Sequence, residues 1–367
     1  MLFTTEAVSK GHPDKFCDQV SDKITQYILT CTKHEDIYNK GKAAIEVLAK
    51  NQTIVIAGEY WLPNKQQITL TKLYELVDIV VRDIGYTTEY EIINLLEQQS
   101  IEIRNAVSQN KEIGAGDQGM MFGYATNITD GYLPVGYYYA QKIMREYATF
   151  IQTNKAFRPD AKCQIAVDEN NNIKQILISA QHIKDIKHKE IVNDINDFLL
   201  KVLGSTIYDG IQNIIINPSG SFISGGFEAD CGLTGRKIIN DSYGSFARHG
   251  GGAFSGKDYT KVDRSGAYIA RYWAKQFVAS NYCDRCEIQI SYCIGISKPF
   301  SIRVKTFGTA KNNITDNDLT ELLHKECITP LYIFDKLKLY QEENLWQIYE
   351  SSKHGHFTNS QFTWENL

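Results

Sequence analysis

The stretch from His249 to Ser265 holds the densest set of residues that could do chemistry, and it reads HGGGAFSGKDYTKVDRS. Three consecutive glycines, Gly250 to Gly252, leave a backbone that can approach a ligand closely and turn its N–H groups toward anionic oxygens. Lys257 and Lys261 could supply cations for phosphate, and Asp263 could supply a carboxylate for a metal or an ammonium group. The segment therefore indicates a polyphosphate site.

A second such segment, Gly225 to Lys237, lies just upstream and reads GGFEADCGLTGRK. It adds Asp230 and Arg236 to the charged groups. So many glycines and charges are poor material for a hydrophobic core, which favours a functional site.

One motif within the glycine-rich stretch is similar to a P-loop. Gly251 to Lys257 satisfies the first seven positions, G-x-x-x-x-G-K, but the eighth position is Asp258, where a P-loop has Ser or Thr for magnesium. The next predicted helix also begins beyond Asp263 instead of directly after the loop. A P-loop NTPase is therefore not favoured.

The N-terminal segment carries a third candidate group. Pro13 suits the first turn of a helix, and Val20, Ile24 and Ile28 recur at helical spacing. His12 and Asp14 are then expected at a helix N-terminus, where a phosphate or a metal-bound anion is favoured. The alternative is that Asp14 only caps the helix.

The elements that must position these groups are helices alternating with strand pairs, which favours α+β domains over one doubly wound parallel sheet. Glu46 and Glu59 interrupt two strands, either on a solvated face or held for a cation. The polar stretch 98–112 predicts a lid or a disordered loop.

The predicted strands are 42–48, 53–59, 163–167, 173–180, 211–216, 287–295 and 300–307, and the predicted helices are 68–84, 137–151, 186–203, 267–278 and 317–325.

The whole chain sets outer limits on function. Its 367 residues predict two or three domains, and a net charge of −4 argues against a general nucleic-acid binder. There is no secretory start and no uninterrupted apolar run of about 18 residues, so we expect a cytoplasmic protein with no membrane partner. Cys283 and Cys286 form a single CxxC, which we interpret as structural cysteines.

Five motifs together resemble those of the S-adenosylmethionine synthetases, also called methionine adenosyltransferases. The resemblance spans most of the chain, and the GAGDQG and HGGGAFSGKD runs are its most specific parts. The motifs are GHPDK at 11–15, GAGDQGMMFGYAT at 114–126, RPDAK at 158–162, DCGLTGRKII at 230–239 and HGGGAFSGKDYTKVDRS at 249–265.

This resemblance implies an architecture of three similar α/β domains related by an approximate threefold axis. The expected domains are 1–98, 113–230 and 231–367, with 99–112 as a mobile active-site loop. It also implies a homodimer with shared active sites, often paired into a tetramer.

The activity implied by the resemblance is synthesis of S-adenosylmethionine from ATP and L-methionine, followed by hydrolysis of tripolyphosphate to pyrophosphate and phosphate. The family uses two Mg²⁺ and one K⁺ per site. Attack of a thioether on C5′ releases no proton, so the reaction needs no general base. Its difficulty is the charge on the leaving triphosphate, and one cation about 4 Å away contributes roughly 4 kcal/mol at an effective dielectric near 20, before desolvation.

The resemblance also assigns residues to roles. His12 matches the histidine beside the departing O5′, Asp14 a magnesium ligand, Asp263 an acid facing a metal or nucleotide group, and Glu46 the potassium-site glutamate. Asp117 lies in a segment that lines the partner's site. The implied catalytic residues are His12, Lys162, Arg236, Lys257 and Lys261; ATP-binding residues are His12, Asp160, Lys162, Phe222, Asp230, Arg236, Lys237, Ala253 and Lys257; methionine-binding residues are Glu59, Gln99, Asp230 and Lys261.

The chain departs from the family pattern at several positions. Ser221 stands where an arginine near the nucleotide is usual, and Phe227 to Ala229 replace the usual residues before Asp230. Since the main cations and Asp14 are present, we expect an active enzyme. Two alternatives stay open: a non-catalytic paralogue that binds nucleotide or S-adenosylmethionine, and an unrelated phosphohydrolase.

Overall fold

The structure is a computed structural model that describes residues 1–63, 66–99 and 113–367. Its strands and helices alternate along the chain. The strands are β1 Phe3–Val8, β2 Lys42–Lys50, β3 Thr53–Trp61, β4 Glu91–Gln98, β5 Gly119–Thr126, β6 Phe157–Val167, β7 Ile173–His182, β8 Asn213–Ile216, β9 Gly232–Leu233, β10 Arg285–Tyr292 and β11 Ser301–Lys305. The helices are α1 Pro13–Cys31, α2 Leu70–Ile84, α3 Val135–Thr153, α4 His188–Leu203, α5 Ser205–Tyr208, α6 Gly226–Ala229, α7 Ile238–Asp241, α8 Val262–Ala279, α9 Asp316–Lys325, α10 Pro330–Lys336 and α11 Trp346–Ser351.

In the described ranges these strands form three sheets, with the orders β4-β3-β2-β9, β1-β6-β7-β8 and β11-β10-β5. Each sheet is built around an antiparallel hairpin, namely β2–β3, β6–β7 or β10–β11. In the first two sheets a further strand runs parallel to the hairpin. Helices α1, α3 and α8 pack against the three sheets. This arrangement agrees with the predicted α+β class.

The three sheets follow one order of elements along the chain. In each third a strand is followed by a helix, a hairpin and another helix, and in the first two thirds a final parallel strand closes the unit. The leading strand of each third does not join the sheet of its own hairpin. Strand β1 pairs with β6, β5 pairs with β10, and β9 pairs with β2. Each third therefore completes the sheet of another third.

Each sheet has its own hydrophobic core on the face covered by helices. The core beside β2 and β3 includes Phe16 and Leu73, and the core beside β6 and β7 includes Ile165. The third core includes Ile288 and Trp364, so the C-terminal segment closes it. Burial of these side chains is the main favourable contribution to the packing of helices on each sheet.

The predicted elements are found with shifts of a few residues at their ends. The structure also contains β4, β5, β9 and the short helices α5, α6, α7, α10 and α11, for which no prediction was made. Asp160 and Lys162 precede the predicted strand 163–167 but lie inside β6, because that strand begins at Phe157. The predicted loop 99–112 lies outside the described residues apart from Gln99. None of the helices in the described part of the chain is long and apolar enough to cross a bilayer.

Candidate active site

The start of α1 presents a neutral histidine. The Nδ1 atom of His12 accepts a hydrogen bond from the backbone N–H of Asp14 at 3.1 Å and so caps the helix. Burial, together with the positive charges of Lys237 and Lys162, lowers the pKa of His12 to about 3. Because Nδ1 is an acceptor, the proton of the neutral ring lies on Nε2. His12 can therefore donate a hydrogen bond to an oxygen of a ligand.

Three carboxylates follow one another along a single face of α1. Asp14, Asp18 and Asp22 are spaced by four residues, which places them on the same side of the helix. The Oδ1 atom of Asp14 accepts a hydrogen bond from the N–H of Leu233 at 3.0 Å. The Oδ1 atom of Asp18 accepts one from the N–H of Gly235 at 2.8 Å. The glycine- and charge-rich segment 225–237 is thus fixed to α1 by its backbone.

The third carboxylate holds the other glycine-rich segment. The Oδ1 atom of Asp22 accepts a hydrogen bond from the N–H of Gly256 at 2.8 Å. Asp22 also forms a buried bidentate pair with Arg264, at 2.6 and 2.9 Å. Such a pair needs further hydrogen bonds to offset its desolvation, and Arg264 also donates to the carbonyl of Lys257. One helix therefore anchors both segments.

The first group of predicted cations lies at the start of α1. The Nζ atom of Lys237 is 2.6 Å from Oδ2 of Asp14, and Nε of Arg236 is 3.8 Å from Oδ1. Asp14 is buried, while 54% of the Arg236 side chain is exposed. The structure thus brings together His12, Asp14, Arg236 and Lys237, which the sequence assigned to one site.

The second group of cations lies on the other segment. The Nζ atom of Lys257 is 2.5 Å from Oδ2 of Asp263, and that of Lys261 is 2.6 Å from Oδ2 of Asp258. Burial alone would raise the pKa of Asp258, but the charge of Lys261 and hydrogen bonds from its surroundings hold it at about 2. Asp258 also accepts a hydrogen bond from the N–H of Ala43. Asp258, which does not fit a P-loop, therefore orients a lysine and ties the loop to β2.

The two groups of cations are neighbours in space. A Cβ atom added to Gly235 would lie 2.7 Å from the Cβ of Ala253, so the two segments touch. Ala44 of β2 forms a bridge to Lys257 and pairs with Glu59 across the sheet. Predicted ATP-binding and methionine-binding residues are therefore close together.

Strand β6 contributes a buried acid with a free oxygen. The Oδ2 atom of Asp160 accepts a hydrogen bond from the N–H of Gly226 at 2.9 Å, whereas Oδ1 has no partner among the described residues. Burial raises the pKa of Asp160 to about 6, although the N–H of Gly226 and the charge of Lys162 oppose this shift. An orphaned acceptor in a buried place is expected to bind the donor groups of a ligand.

The other predicted residues lie around this centre with fewer contacts. The backbone N–H of Phe222 donates to Nε2 of the His182 ring at 2.9 Å, and the carbonyl of Phe222 accepts from the backbone N–H of His182. Gln99 donates its backbone N–H to Tyr60, directly beside Glu59. Glu46, Glu59, Lys162, Asp230 and Asp117 are exposed, and the Oδ1 atom of Asp117 accepts a hydrogen bond from the next residue in the chain.

Sequence reasoning missed several residues that hold the site. Asp18 and Asp22 were not singled out, although their spacing from Asp14 in a helix was a readable signal. Lys15, which is buried, lies 3.0 Å from Asp18 and 2.6 Å from Asp241. No local pattern links Lys15 to a residue so distant in the chain.

Comparison with known proteins decides the family. Sequence models of the N-terminal, central and C-terminal domains of S-adenosylmethionine synthetase match residues 1–111, 112–222 and 224–366. The chain belongs to the S-adenosylmethionine synthetase family. The predicted resemblance and the three-domain α/β architecture are confirmed.

A solved structure supports the same assignment. An unusual S-adenosylmethionine synthetase from Campylobacter jejuni is 31% identical, with a TM-score of 0.88. The match covers 100% of this chain and 97% of that one. The similarity therefore extends over the whole S-adenosylmethionine synthetase fold.

The departures from the usual synthetase sequence have a structural explanation in one case. Phe227 is buried, and its ring stacks on Phe16 at 4.5 Å and meets the edge of Tyr86 at 5.3 Å. This packing fixes the turn that points the N–H of Gly226 at Asp160. The segment that departs from the usual family residues is therefore held by the buried aromatic ring of Phe227. Ser221 is exposed, and the described residues do not explain its replacement of the arginine usual in the family.

The carboxylates suit the metals that a synthetase uses. Among the described residues, no three His, Cys, Asp or Glu side chains lie close enough to hold a metal by themselves. Mg²⁺ is commonly bound through one or two carboxylates together with substrate phosphates. Asp14 and Asp263 each have a lysine partner that phosphate oxygens can also attract. The oxygen donors therefore fit magnesium bound together with a nucleotide.

Proposed function

We propose that the protein is a methionine adenosyltransferase, which forms S-adenosylmethionine from ATP and L-methionine and then hydrolyses tripolyphosphate to pyrophosphate and phosphate. The observation that carries the proposal is the arrangement of cations on two adjacent segments fixed to one helix. Arg236 and Lys237 lie on one segment, and Lys257 and Lys261 on the other. Such preorganised charges suit a leaving group that gains negative charge.

The reaction balances without a base. A lone pair of the methionine sulfur forms the S–C5′ bond while the C5′–O5′ bond breaks, and the electron pair leaves with the tripolyphosphate. The sulfur becomes a sulfonium, and no proton is transferred. His12, neutral and protonated on Nε2, is suited to donate a hydrogen bond to O5′ as its charge develops.

The remaining roles divide between nucleotide and methionine. Asp160, Phe222 and Ala253 would contact ATP, and the free oxygen of Asp160 is suited to its hydroxyl or amino groups. Glu59 and Asp230 carry exposed carboxylates that can bind the ammonium group of methionine. The remaining assignments complete the two sets: Lys162, Arg236 and Lys237 for ATP, and Gln99 and Lys261 for methionine.

Two Mg²⁺ and one K⁺ per site belong to this proposal. Asp14 and Asp263 would hold magnesium, and Glu46 would hold potassium, each through oxygen donors. When bound, these ions would neutralise part of the triphosphate charge. The lysines beside Asp14 and Asp263 would then pair with phosphate oxygens, because charge-assisted hydrogen bonds to phosphate are strong.

We also propose a homodimer, with a tetramer as a further possible assembly. Apolar side chains are exposed on strands of all three sheets, including Leu48, Leu95, Met120 and Ile215. Exposed apolar side chains on sheets are typical of surfaces that bind another protein. Asp117, also exposed, would face the active site of the partner.

The eight cysteines are free thiols, as expected in the reducing cytoplasm.

Incubation of the purified protein with ATP, L-methionine, Mg²⁺ and K⁺ tests the proposal. We expect a sulfonium product by mass spectrometry, with one pyrophosphate and one phosphate released per product. Phosphate release that does not need methionine would instead identify a phosphohydrolase. Binding of ATP or S-adenosylmethionine without turnover would identify a non-catalytic paralogue.

A further inference from the structure

The two cation-bearing segments are fixed to α1 in the same way. Gly235 has a φ of +81°, its N–H donates to Asp18 at 2.8 Å, and the next residue is Arg236. Gly256 has a φ of +79°, its N–H donates to Asp22 at 2.8 Å, and the next residue is Lys257. In both segments, a left-handed glycine anchored to a helix carboxylate directly precedes a proposed cation.

The anchors themselves are rigid. Asp18 and Asp22 are fully buried and stand one helical turn apart, which corresponds to a rise of about 6 Å. Lys15 neutralises Asp18 at 3.0 Å, and Arg264 neutralises Asp22. Asp22 cannot turn toward solvent without leaving the buried guanidinium of Arg264 without its carboxylate. If Asp18 turned away, the buried Lys15 would keep, among the described residues, only its contact with Asp241.

The glycines leave little room for another path of the backbone. A Cβ atom at Gly256 would lie 2.0 Å from the carbonyl oxygen of Ile45. Arg264 holds the same loop from a second side, because it donates to the carbonyl of Lys257 at 3.0 Å. The position of Lys257 is therefore set by backbone contacts on both sides.

We infer that Asp18 and Asp22 are positioning residues, which fix the spacing between the two sets of cations that act on the triphosphate. The inference rests on the proposed function and deepens it, since neither carboxylate is assigned to contact a substrate. A displacement of about 1 Å at a reacting centre can cost 100-fold in rate. Loss of an anchor is thus expected to lower turnover more than substrate binding.

Variants of Asp18 test this inference. Asp18→Asn keeps an oxygen that can accept from Gly235, whereas Asp18→Gln moves the acceptor by one methylene. We expect Asp18→Asn to retain kcat within about threefold, and Asp18→Gln to lower kcat by 10- to 100-fold with the KM for methionine changed less than about threefold. Thr25→Val is the matched control, because Thr25 is buried on the same helix and bonds only within it.

Stability and binding measurements make each outcome decisive. Equal kcat per folded molecule in Asp18→Asn and Asp18→Gln, whatever their melting temperatures, would overturn the inference. If Asp18→Gln does not fold, Asp18→Ser replaces it, since the shorter side chain withdraws the acceptor without adding volume. Calorimetric binding of tripolyphosphate gives a readout without turnover: we expect affinity to fall tenfold in the displaced variant and not in Asp18→Asn. A wild-type protein that binds tripolyphosphate but forms no sulfonium would count against the proposed function alone. Equal tripolyphosphate affinities of Asp18→Asn and the displaced variant would count against the inference.

Discussion

At the scale of single residues, two buried aspartates differ in how the surrounding structure satisfies their oxygens. Asp258 has hydrogen-bond partners on both oxygens and a lysine beside it, and its pKa is held at about 2. Asp160 has one oxygen without a described partner, and burial raises its pKa to about 6. A satisfied carboxylate can stabilise the fold, whereas a buried carboxylate with an unpaired oxygen costs stability and is a candidate for ligand binding.

The first prediction concerns the folding stability that the protein loses by burying the carboxyl group of Asp160. Its pKa is raised from 3.8 to about 6 in the folded protein, so folding stability is lost as pH rises through this window. The shift corresponds to roughly 2 to 3 kcal/mol. We therefore expect the stability of Asp160→Asn relative to wild type to increase by that amount between pH 4 and pH 8, as measured by urea unfolding.

The same variant should bind its ligand less well. Loss of a charged acceptor costs about 1.5 to 3 kcal/mol, so the Kd for ATP should rise by roughly 10- to 100-fold at pH 8. Asp168→Asn is a matched control, because Asp168 is bound to its own turn at the far end of β6. Superimposable stability curves of Asp160→Asn and wild type across pH would contradict the assigned pKa.

The second prediction concerns the cations. Lys257→Met removes one preorganised charge from the proposed triphosphate site, and we expect kcat/KM to fall by about 10²- to 10³-fold. The exposed Lys189 on α4 offers a control, and Lys189→Met should keep the wild-type rate. A decrease of less than threefold in Lys257→Met would remove this lysine from the proposed catalytic set.

At the scale of elements, sequence patterns predicted the helices and strands whose apolar spacing is visible within the segment itself. The helix at 68–84 was predicted from its apolar stripe, and α2 indeed buries Leu73, Leu76 and Val80. Strand β5 was not predicted, because it contains Gly119 and Gly123, and glycine is depleted in strands. A Cβ at Gly123 would lie 2.0 Å from the backbone of Ala270, so this glycine lets α8 pack on the strand. Such a contact depends on a partner element and has no local signal.

The candidate site was predictable in part for the same reason. The family motifs pointed to charged residues that the structure pairs in the candidate site, such as Lys237 with Asp14 and Asp263 with Lys257. The supporting partners Lys15 and Asp241 are 226 residues apart in the chain, and their pairing follows only from the packing of α1 against α7. Long-range ion pairs of this kind cannot be inferred from one sequence.

The third prediction belongs to the short helix α6. Phe227 is buried against Phe16 and Tyr86, so Phe227→Ala should lower the free energy of unfolding by about 3 to 5 kcal/mol. We also expect weaker ATP binding, because α6 carries the N–H that orients Asp160. Glu228→Ala, one residue further along and exposed, should change stability by less than about 0.5 kcal/mol in the same urea titration. Equal effects of the two variants would show that Phe227 does not anchor the segment.

At the scale of the whole molecule, the three thirds of the chain are linked in a ring. Strand β1 completes the central sheet, β5 the C-terminal sheet and β9 the N-terminal sheet. The threefold pattern is visible in the order of elements but not in the sequence, because each third meets the same packing needs with different side chains. The spacing of apolar residues and the placement of turn residues set the order of elements. Different apolar side chains can satisfy the same spacing.

The fourth prediction follows from this ring. Unfolding of one sheet removes a strand from another, so we expect a single cooperative transition in urea. Single-tryptophan variants that keep Trp61, on β3, or Trp273, on α8, report different sheets. Their fluorescence midpoints should coincide with each other and with circular dichroism. Separate midpoints would show that the sheets unfold independently.

The strand exchange also has a consequence for synthesis on the ribosome. The residues of β1 emerge about 150 residues before those of β6, with which they pair. At roughly 5 to 20 residues per second, β1 waits on the order of ten seconds or more. The N-terminal sheet waits longer still, because β9 is made after residue 230. The nascent chain therefore exposes unpaired strand edges until the last third is translated, so its final fold forms late and benefits from chaperones that cover such edges.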